Sequence, residues 1–264
     1  MGFSDLGFGS AQGDINGFSP AQGEAAAVVA STLLTDIRHF WKMDDDGVWI
    51  DSYTENSYFS EINAPTTVAG KINYAIDTYG SAAPHLSTSD VGVDFLSSGN
   101  SDWTCSAWVK PITSGYGGSA AKTFIITPAQ FNFGMTKEST GNFLWFNAKI
   151  GGSYVSTDMT GTAASEIPDD TFGLCFWQFS AESGGSSVIT LRTIVSGTEY
   201  TVTGSHGGTV AARGSGYTMK IGYINNSYKA GSALDMIGIW SRHLTSAERL
   251  ELYNSGAAKD YPFS

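Results

Sequence analysis

Apolar and polar positions along most of this chain alternate with the period of two that belongs to strands, not the 3.6 of helices. The run Ile37-Arg38-His39-Phe40-Trp41-Lys42-Met43 opens the pattern and stops at the turn sequence Asp44-Asp45-Asp46-Gly47. Further runs predict strands over Trp103–Lys110, Lys122–Ile126, Asn142–Ile150, Gly173–Ala181, Val188–Val195, Thr198–Thr203, Tyr217–Ile224 and Leu234–Trp240. Turn chemistry separates them: Gly151-Gly152, Gly184-Gly185, Ser196-Gly197 and Gly207-Gly208. Many short strands with no recurring helix predict a sandwich or barrel, not a βαβ fold.

One helix is signalled near the end. Thr245-Ser246-Ala247-Glu248 reads as a capping box, with Thr245 as the cap and Glu248 reaching back. Leu250 and Tyr253, with Ala247 beside them, supply its docking face, and Gly256 stands at the expected left-handed stop.

Residues 1 to about 24 break the pattern. They are rich in Gly and Ser, with Phe3, Leu6, Phe8, Ile15 and Phe18 spaced apart, and they read as an arm. The phenylalanines are its natural anchors, either on its own domain or on a neighbouring chain. Ser19-Pro20-Ala21-Gln22 then reads as a helix start with a short Ala-rich continuation. The expected organisation is an arm over residues 1–33 and one β domain over 34–264.

Composition narrows the partners. The formal net charge is −11 with only 14 Lys and Arg, which argues against a nucleic-acid backbone. The Met1-Gly2-Phe3-Ser4-Asp5 start lacks a basic and then apolar leader, and Ala25–Leu34 is too short for a membrane span. The chain is therefore expected to fold in a cytoplasm unless another system exports it. Cys105 and Cys175 lie in apolar, strand-like segments. Two buried thiols are the plainer reading, and a disulfide requires their strands to be neighbours.

Five stretches then carry a resemblance. Asp36-Ile37-Arg38-His39-Phe40-Trp41-Lys42-Met43-Asp44 followed by Asp51-Ser52 resembles the opening strand and turn of laminin-G-like, concanavalin-A-like domains. Ala69-Gly70-Lys71-Ile72-Asn73-Tyr74-Ala75 resembles a later turn of that family, and Trp103–Val109 and Phe176–Phe179 resemble its inner strands. The ending is the most specific: Leu234-Asp235-Met236-Ile237-Gly238-Ile239-Trp240, then Leu244-Thr245-Ser246-Ala247-Glu248, then Leu252-Tyr253-Asn254-Ser255-Gly256. The resemblance covers about residues 34–263. It implies an all-β, two-sheet antiparallel jelly-roll sandwich with an N-terminal arm and one short C-terminal helix. Free-standing copies of this type look like those of tailed-bacteriophage virions.

The fold hosts lectins, glycanases, adhesion modules and virion proteins, so function rests on the site. Retaining glycosidases need two carboxylates about 5 Å apart, and the fold's glucanases carry a Glu-x-Asp-x-Glu type strand. That strand is absent here, so no catalytic residues are assigned and a hydrolase is the least favoured reading. No cofactor is expected. Calcium is the one metal the residues suggest, at Asp44, Asp46 and Asp51, although an Asp-Gly turn needs none. For a sugar platform, Trp49, Tyr53, Tyr58 and Tyr116 lie in loop-like surroundings, whereas Trp103, Trp108, Trp177 and Trp240 sit in strand patterns and belong to the core. The four histidines share no ligand spacing. The leading expectation is a non-enzymatic virion structural protein, a capsid decoration or tail component. Its arm would bind major capsid or tail proteins, in a homo-oligomer, with neither nucleic acid nor membrane as partner. The alternative is a glycan-binding adhesin or receptor module directed at host-surface sugars.

Overall fold

The fold was obtained as a computed structural model that describes residues 31–44, 49–55, 58–78, 84–88, 101–112, 122–126, 131–138, 141–159, 166–182, 185–208, 210, 219–225, 228–229 and 232–263. The arm anchors Phe3, Leu6, Phe8, Ile15 and Phe18 and the helix start at Ser19 lie outside these residues. Among the described residues the strands run, in chain order, β1 (Ile37–Trp41), β2 (Trp49–Ile50), β3 (Tyr58–Ile62), β4 (Thr66–Ala69), β5 (Tyr74–Asp77) and β6 (His85–Thr88). There follow β7 (Trp103–Pro111), β8 (Lys122–Ile126), β9 (Phe131–Glu138), β10 (Gly141–Ile150), β11 (Ser153–Asp158) and β12 (Gly173–Glu182). The last are β13 (Ser186–Val195), β14 (Thr198–Gly207), β15 (Met219–Ile221), β16 (Tyr223–Asn225), β17 (Tyr228–Lys229) and β18 (Ser232–Trp240), before helix α1 (Ser246–Tyr253).

One large antiparallel sheet has the order β14-β13-β12-β7-β18-β5-β4, and β1 also pairs with β18. The opposing layer is made of β11-β10-β9-β8 and β15-β6-β3-β2. Trp103, Cys105 and Val109 of β7, Trp177 and Phe179 of β12 and Leu191 of β13 share one core with Phe133 of β9 and Phe146 of β10. Trp103 sits at its centre, 5.3 Å from the Phe131 ring and 5.5 Å from Phe146. Trp177 Nε1 donates across the layers to the Trp145 carbonyl at 3.2 Å. The fold is thus the all-β antiparallel jelly-roll sandwich expected from the sequence.

The outer face of the large sheet is covered as well. Trp108, Leu174, Phe176 and Trp240 pack there against Leu33, Leu244, Leu252 and Phe263. Burial on both faces explains why β7 and β18 read as near-continuous apolar runs. β18 is buried at every position, while the edge strand β14 has no fully buried residue. The sequence pattern missed β2 to β6, β9, β11 and β17, which are short or partly polar strands. It also joined β15 and β16. They are separate because Gly222 between them has φ +92° and packs so closely on Thr78 that a Cβ would lie 2.5 Å from Thr78 Cγ2.

The capping box forms as read: Thr245 Oγ1 accepts from Glu248 N at 3.3 Å, and Glu248 Oε2 accepts from Thr245 N at 2.8 Å. The docking face is not the one expected. Glu248 also receives Thr32 Oγ1 at 2.6 Å and a two-pronged Arg242 at 2.7 and 2.8 Å, and Arg249 clasps Glu199 of β14. These bonds turn Glu248, Arg249 and Leu252 inward and leave Leu250 exposed. Tyr253 stacks on Trp108 at 5.7 Å. The helix stops at Asn254, left-handed at φ +46°, and not at Gly256.

Cys105 and Cys175 lie on the neighbouring strands β7 and β12, but diagonally: Cys175 faces Ala107 and Cys105 faces Trp177. Both are free and buried, and burial pushes both thiols well above the ordinary range.

Candidate functional site

The end of β1 and the short strand β2 border a cleft of about 250 Å³ lined by Trp41, Lys42, Met43, Asp44, Trp49 and Ser52 among others. Met43, at φ +61°, bends the chain as it leaves β1, between Lys42 and Asp44. Trp49 is buried in β2 opposite Phe59 and donates Nε1 to Glu61 Oε1 at 2.8 Å. Trp41 lies edge-on to Phe59 at 5.1 Å, and its Nε1 has no hydrogen-bond partner among the described residues.

A buried carboxylate fixes one wall. Asp51 Oδ1 accepts from the backbone N–H groups of Phe40 and Tyr53, each at 2.9 Å. Asp51 Oδ2 accepts from Thr54 Oγ1 at 2.7 Å and pairs with His39 Nδ1 at 2.6 Å. Burial alone pushes this carboxyl up, but the bonds from His39, Phe40, Thr54 and Tyr53 outweigh it and hold it below the ordinary range. The knot clamps residues 51–54 to β1, helped by Ser52 N donating to the Phe40 carbonyl at 2.7 Å.

The turn between β4 and β5 is tied to the lining residue Asp44. Gly70 N donates to the Asn73 carbonyl, and a Cβ on Gly70 would lie 2.3 Å from the Tyr74 carbonyl oxygen. Only glycine fits there. Asp235 Oδ2 holds the turn from below, accepting from Lys71 N at 2.6 Å and Ile72 N at 3.2 Å. Asp44 holds it from the cleft side, accepting from Asn73 Nδ2 at 3.2 Å and Tyr74 N at 3.3 Å. Asp235 is buried, and its Oδ1 has no hydrogen-bond partner among the described residues. Burial, reinforced by Asp44, outweighs the turn's N–H donors and pushes it up to about 7.

Two exposed tyrosines are tied to residues of the cleft lining. Tyr53 follows the lining residue Ser52 and is 40% exposed; Tyr74, tied through its N–H to Asp44, is 54% exposed. Tyr53 meets Tyr261 edge-on at 6.5 Å, and Lys42 Nζ pairs with Asp260 at 3.0 Å.

The structure brings Asp44, Trp49 and Tyr53 to one place. Trp49 is a buried wall and not the exposed platform its loop-like sequence suggested, because β2 turns it into the core. Asp51 has all four acceptor positions taken by protein donors, so it acts as a structural anchor. The Tyr58 side chain, Asp46 and Tyr116 lie outside the described residues, and among the described residues no group of three or more His, Cys, Asp or Glu is placed to hold a metal. Sequence reasoning missed Tyr74, Lys42 and Asp235. The Gly70-to-Asn73 turn and the aspartate inside an otherwise apolar β18 were the available signals. The Ser180–His243 pair, at 3.1 Å, is not an activated nucleophile: His243 Nε2 also faces the Phe179 carbonyl at 2.9 Å, which can only accept its proton.

No family model matches this chain, and no curated protein matches it. Solved structures do. The chain is similar to the binding domain of Paraclostridial Mosquitocidal Protein 1, at a TM-score of 0.59 and 14% identity over 84% of this chain and 52% of that one. It is similar to domain 4 of AbnA, a GH43 extracellular arabinanase from Geobacillus stearothermophilus in complex with arabinotriose, at 0.53 and 15% over 85% and 98%. It is also similar to the binding domain of botulinum neurotoxin DC in complex with SialylT, at 0.56 and 10% over 84% and 52%. The chain spans about half the length of the two toxin binding domains and nearly all of the arabinanase domain. At these identities the likeness is one of fold.

Proposed function

We propose that this chain is a non-catalytic glycan-binding module that holds sugar in the β1–β2 cleft. The carrying observation is the cleft itself, in which Lys42, Asp44 and Ser52 offer polar contacts, with the exposed Tyr53 next to Ser52 in the chain and the exposed Tyr74 bonded through its N–H to Asp44. Sugars are held by that combination, an aromatic face against the apolar side of the ring and directional polar groups for its hydroxyls. Two of the similar folds were solved with an oligosaccharide ligand, arabinotriose or SialylT, which supports the reading at the level of fold. The non-catalytic part rests on the Asp51 knot, which fills that carboxylate's acceptor positions and leaves Asp44 as the cleft's own carboxylate among its lining residues.

A glycan microarray probed with the full chain tests this. Binding to at least one oligosaccharide class, lost in Tyr53→Ala/Tyr74→Ala with an unchanged circular dichroism spectrum, is the expected outcome. A chain that binds no glycan, or whose binding ignores both tyrosines, overturns it. A virion structural role takes second place, since its carriers Phe3, Leu6, Phe8, Ile15 and Phe18 lie outside the described residues. Deletion of residues 1–24 tests that role through particle incorporation.

A further inference from the structure

Building on the glycan reading, we infer that the cleft selects uncharged sugars and rejects sialylated or sulfated ones. Lys42 is the only cation among the described lining residues, and Asp260 already engages it at 3.0 Å. Against that one ammonium stand the carboxylate of Asp44 in the lining, that of Asp260 on the rim, and Asp51 directly behind the wall. The neighbouring cation, Lys71, is directed elsewhere: its Nζ lies 4.8 Å over the Trp108 ring on the outer face of the large sheet.

The surroundings of Tyr261 report the same sign. Burial raises its phenol first, and Tyr53, Asp51 and Glu55 raise it further, with Lys42 as the opposing influence. A carboxylate or sulfate brought to this rim therefore meets like charge on one side and a lysine that must first leave Asp260 on the other. Two unit charges about 4 Å apart repel by about 1 kcal/mol in water and several-fold more where water is partly excluded. A fivefold loss of affinity is the smallest effect that this repulsion predicts. The polar groups that remain suit a neutral ligand: Ser52 and Lys42 can donate to ring and hydroxyl oxygens, and Asp44 can accept from hydroxyls.

Isothermal titration of the full chain tests this with matched ligands: neutral arabino-, gluco- and galacto-oligosaccharides, and the same galactose-ended core carrying sialic acid or sulfate. The expected result is binding of a neutral member, at least about fivefold weaker binding of its charged counterpart, and neutral-ligand affinity that does not change between low and high salt. Asp260→Asn, which removes one rim carboxylate and releases Lys42, is expected to narrow the gap. Equal or tighter binding of the charged members, or a gap that Asp260→Asn leaves untouched, overturns the selectivity and leaves the glycan reading standing. Binding of no member overturns both.

Discussion

Two buried carboxylates set opposite pH responses. The Glu248 carboxyl lies at about 2: burial raises it, but Arg242, Thr32 and Thr245 lower it by more. Its stabilisation is present above the unfolded value of 4.5 and is lost as pH falls through that value toward 2. Asp235 runs the other way. It stays protonated in the fold up to about 7 while the unfolded chain ionises from 3.8, so stability falls as pH rises across that window. Thermal denaturation should therefore peak near pH 4 to 5 as far as these two groups decide it. Glu248→Gln should flatten the acid limb and lower the midpoint at pH 7 by removing about 2 to 3 kcal/mol. Asp235→Asn should flatten the limb between pH 4 and 7, leaving stability at pH 8 equal to or above that of the parent. A steeper limb in either variant contradicts the assignment.

At the scale of elements, α1 is held by two ion pairs and by the apolar contacts of Leu252 and Tyr253. Glu248 joins it to Arg242 and Thr32, Arg249 joins it to Glu199 of β14, and Leu252 enters the outer core. Leu252→Ala should cost about 2 to 4 kcal/mol in urea denaturation, whereas Leu250→Ala should change stability by less than about 0.5 kcal/mol. Equal costs would mean that the helix docks on the face the sequence suggested. That face was misread at Leu250 for a physical reason: spacing ranks residues by hydrophobicity, but here two buried charged side chains, Glu248 and Arg249, with ion-pair partners outrank an exposed leucine. Strands buried on both sides, such as Trp103–Pro111, were legible because their apolar runs are long. The short strands at the cleft were not, because Trp49 and Ile50 give no alternation to read and Tyr74 is tied to the lining only through a turn fixed by two distant aspartates, Asp44 and Asp235.

For the molecule as a whole, the sandwich seals its thiols and its largest aromatics and leaves Tyr53 and Tyr74 exposed. Native protein should show no reaction of Cys105 or Cys175 with a thiol reagent on the time scale of mixing, and denatured protein should show both. Reaction of either thiol in the native state would mean that the β7–β12 region opens readily. The jelly roll was legible in the ending of the sequence, where a strand buried on both faces is followed by a capped helix whose Leu252 and Tyr253 pack on the outer face of the large sheet. The cleft was not, because its lining comes from the end of β1 and from β2 with the residues beside them, and only Asp44 and Trp49 among that lining carried a signal by residue type.

The position of β18 has a consequence for how the molecule is made. It lies between β7 on one side and β1 and β5 on the other, and all three precede it, β1 by about two hundred residues. During synthesis those strands wait with unsatisfied edges until Ser232–Trp240 has left the ribosome. Such long-range closure makes folding slow and late. A chain released before Ser232 should be recovered in the insoluble fraction, while the same truncated chain should become soluble when a peptide spanning residues 232–263 is supplied in trans. The 231 residues that precede Ser232 would then be a template waiting for its keystone, and the rate of translation through β18 would set how long that template stays exposed to other chains.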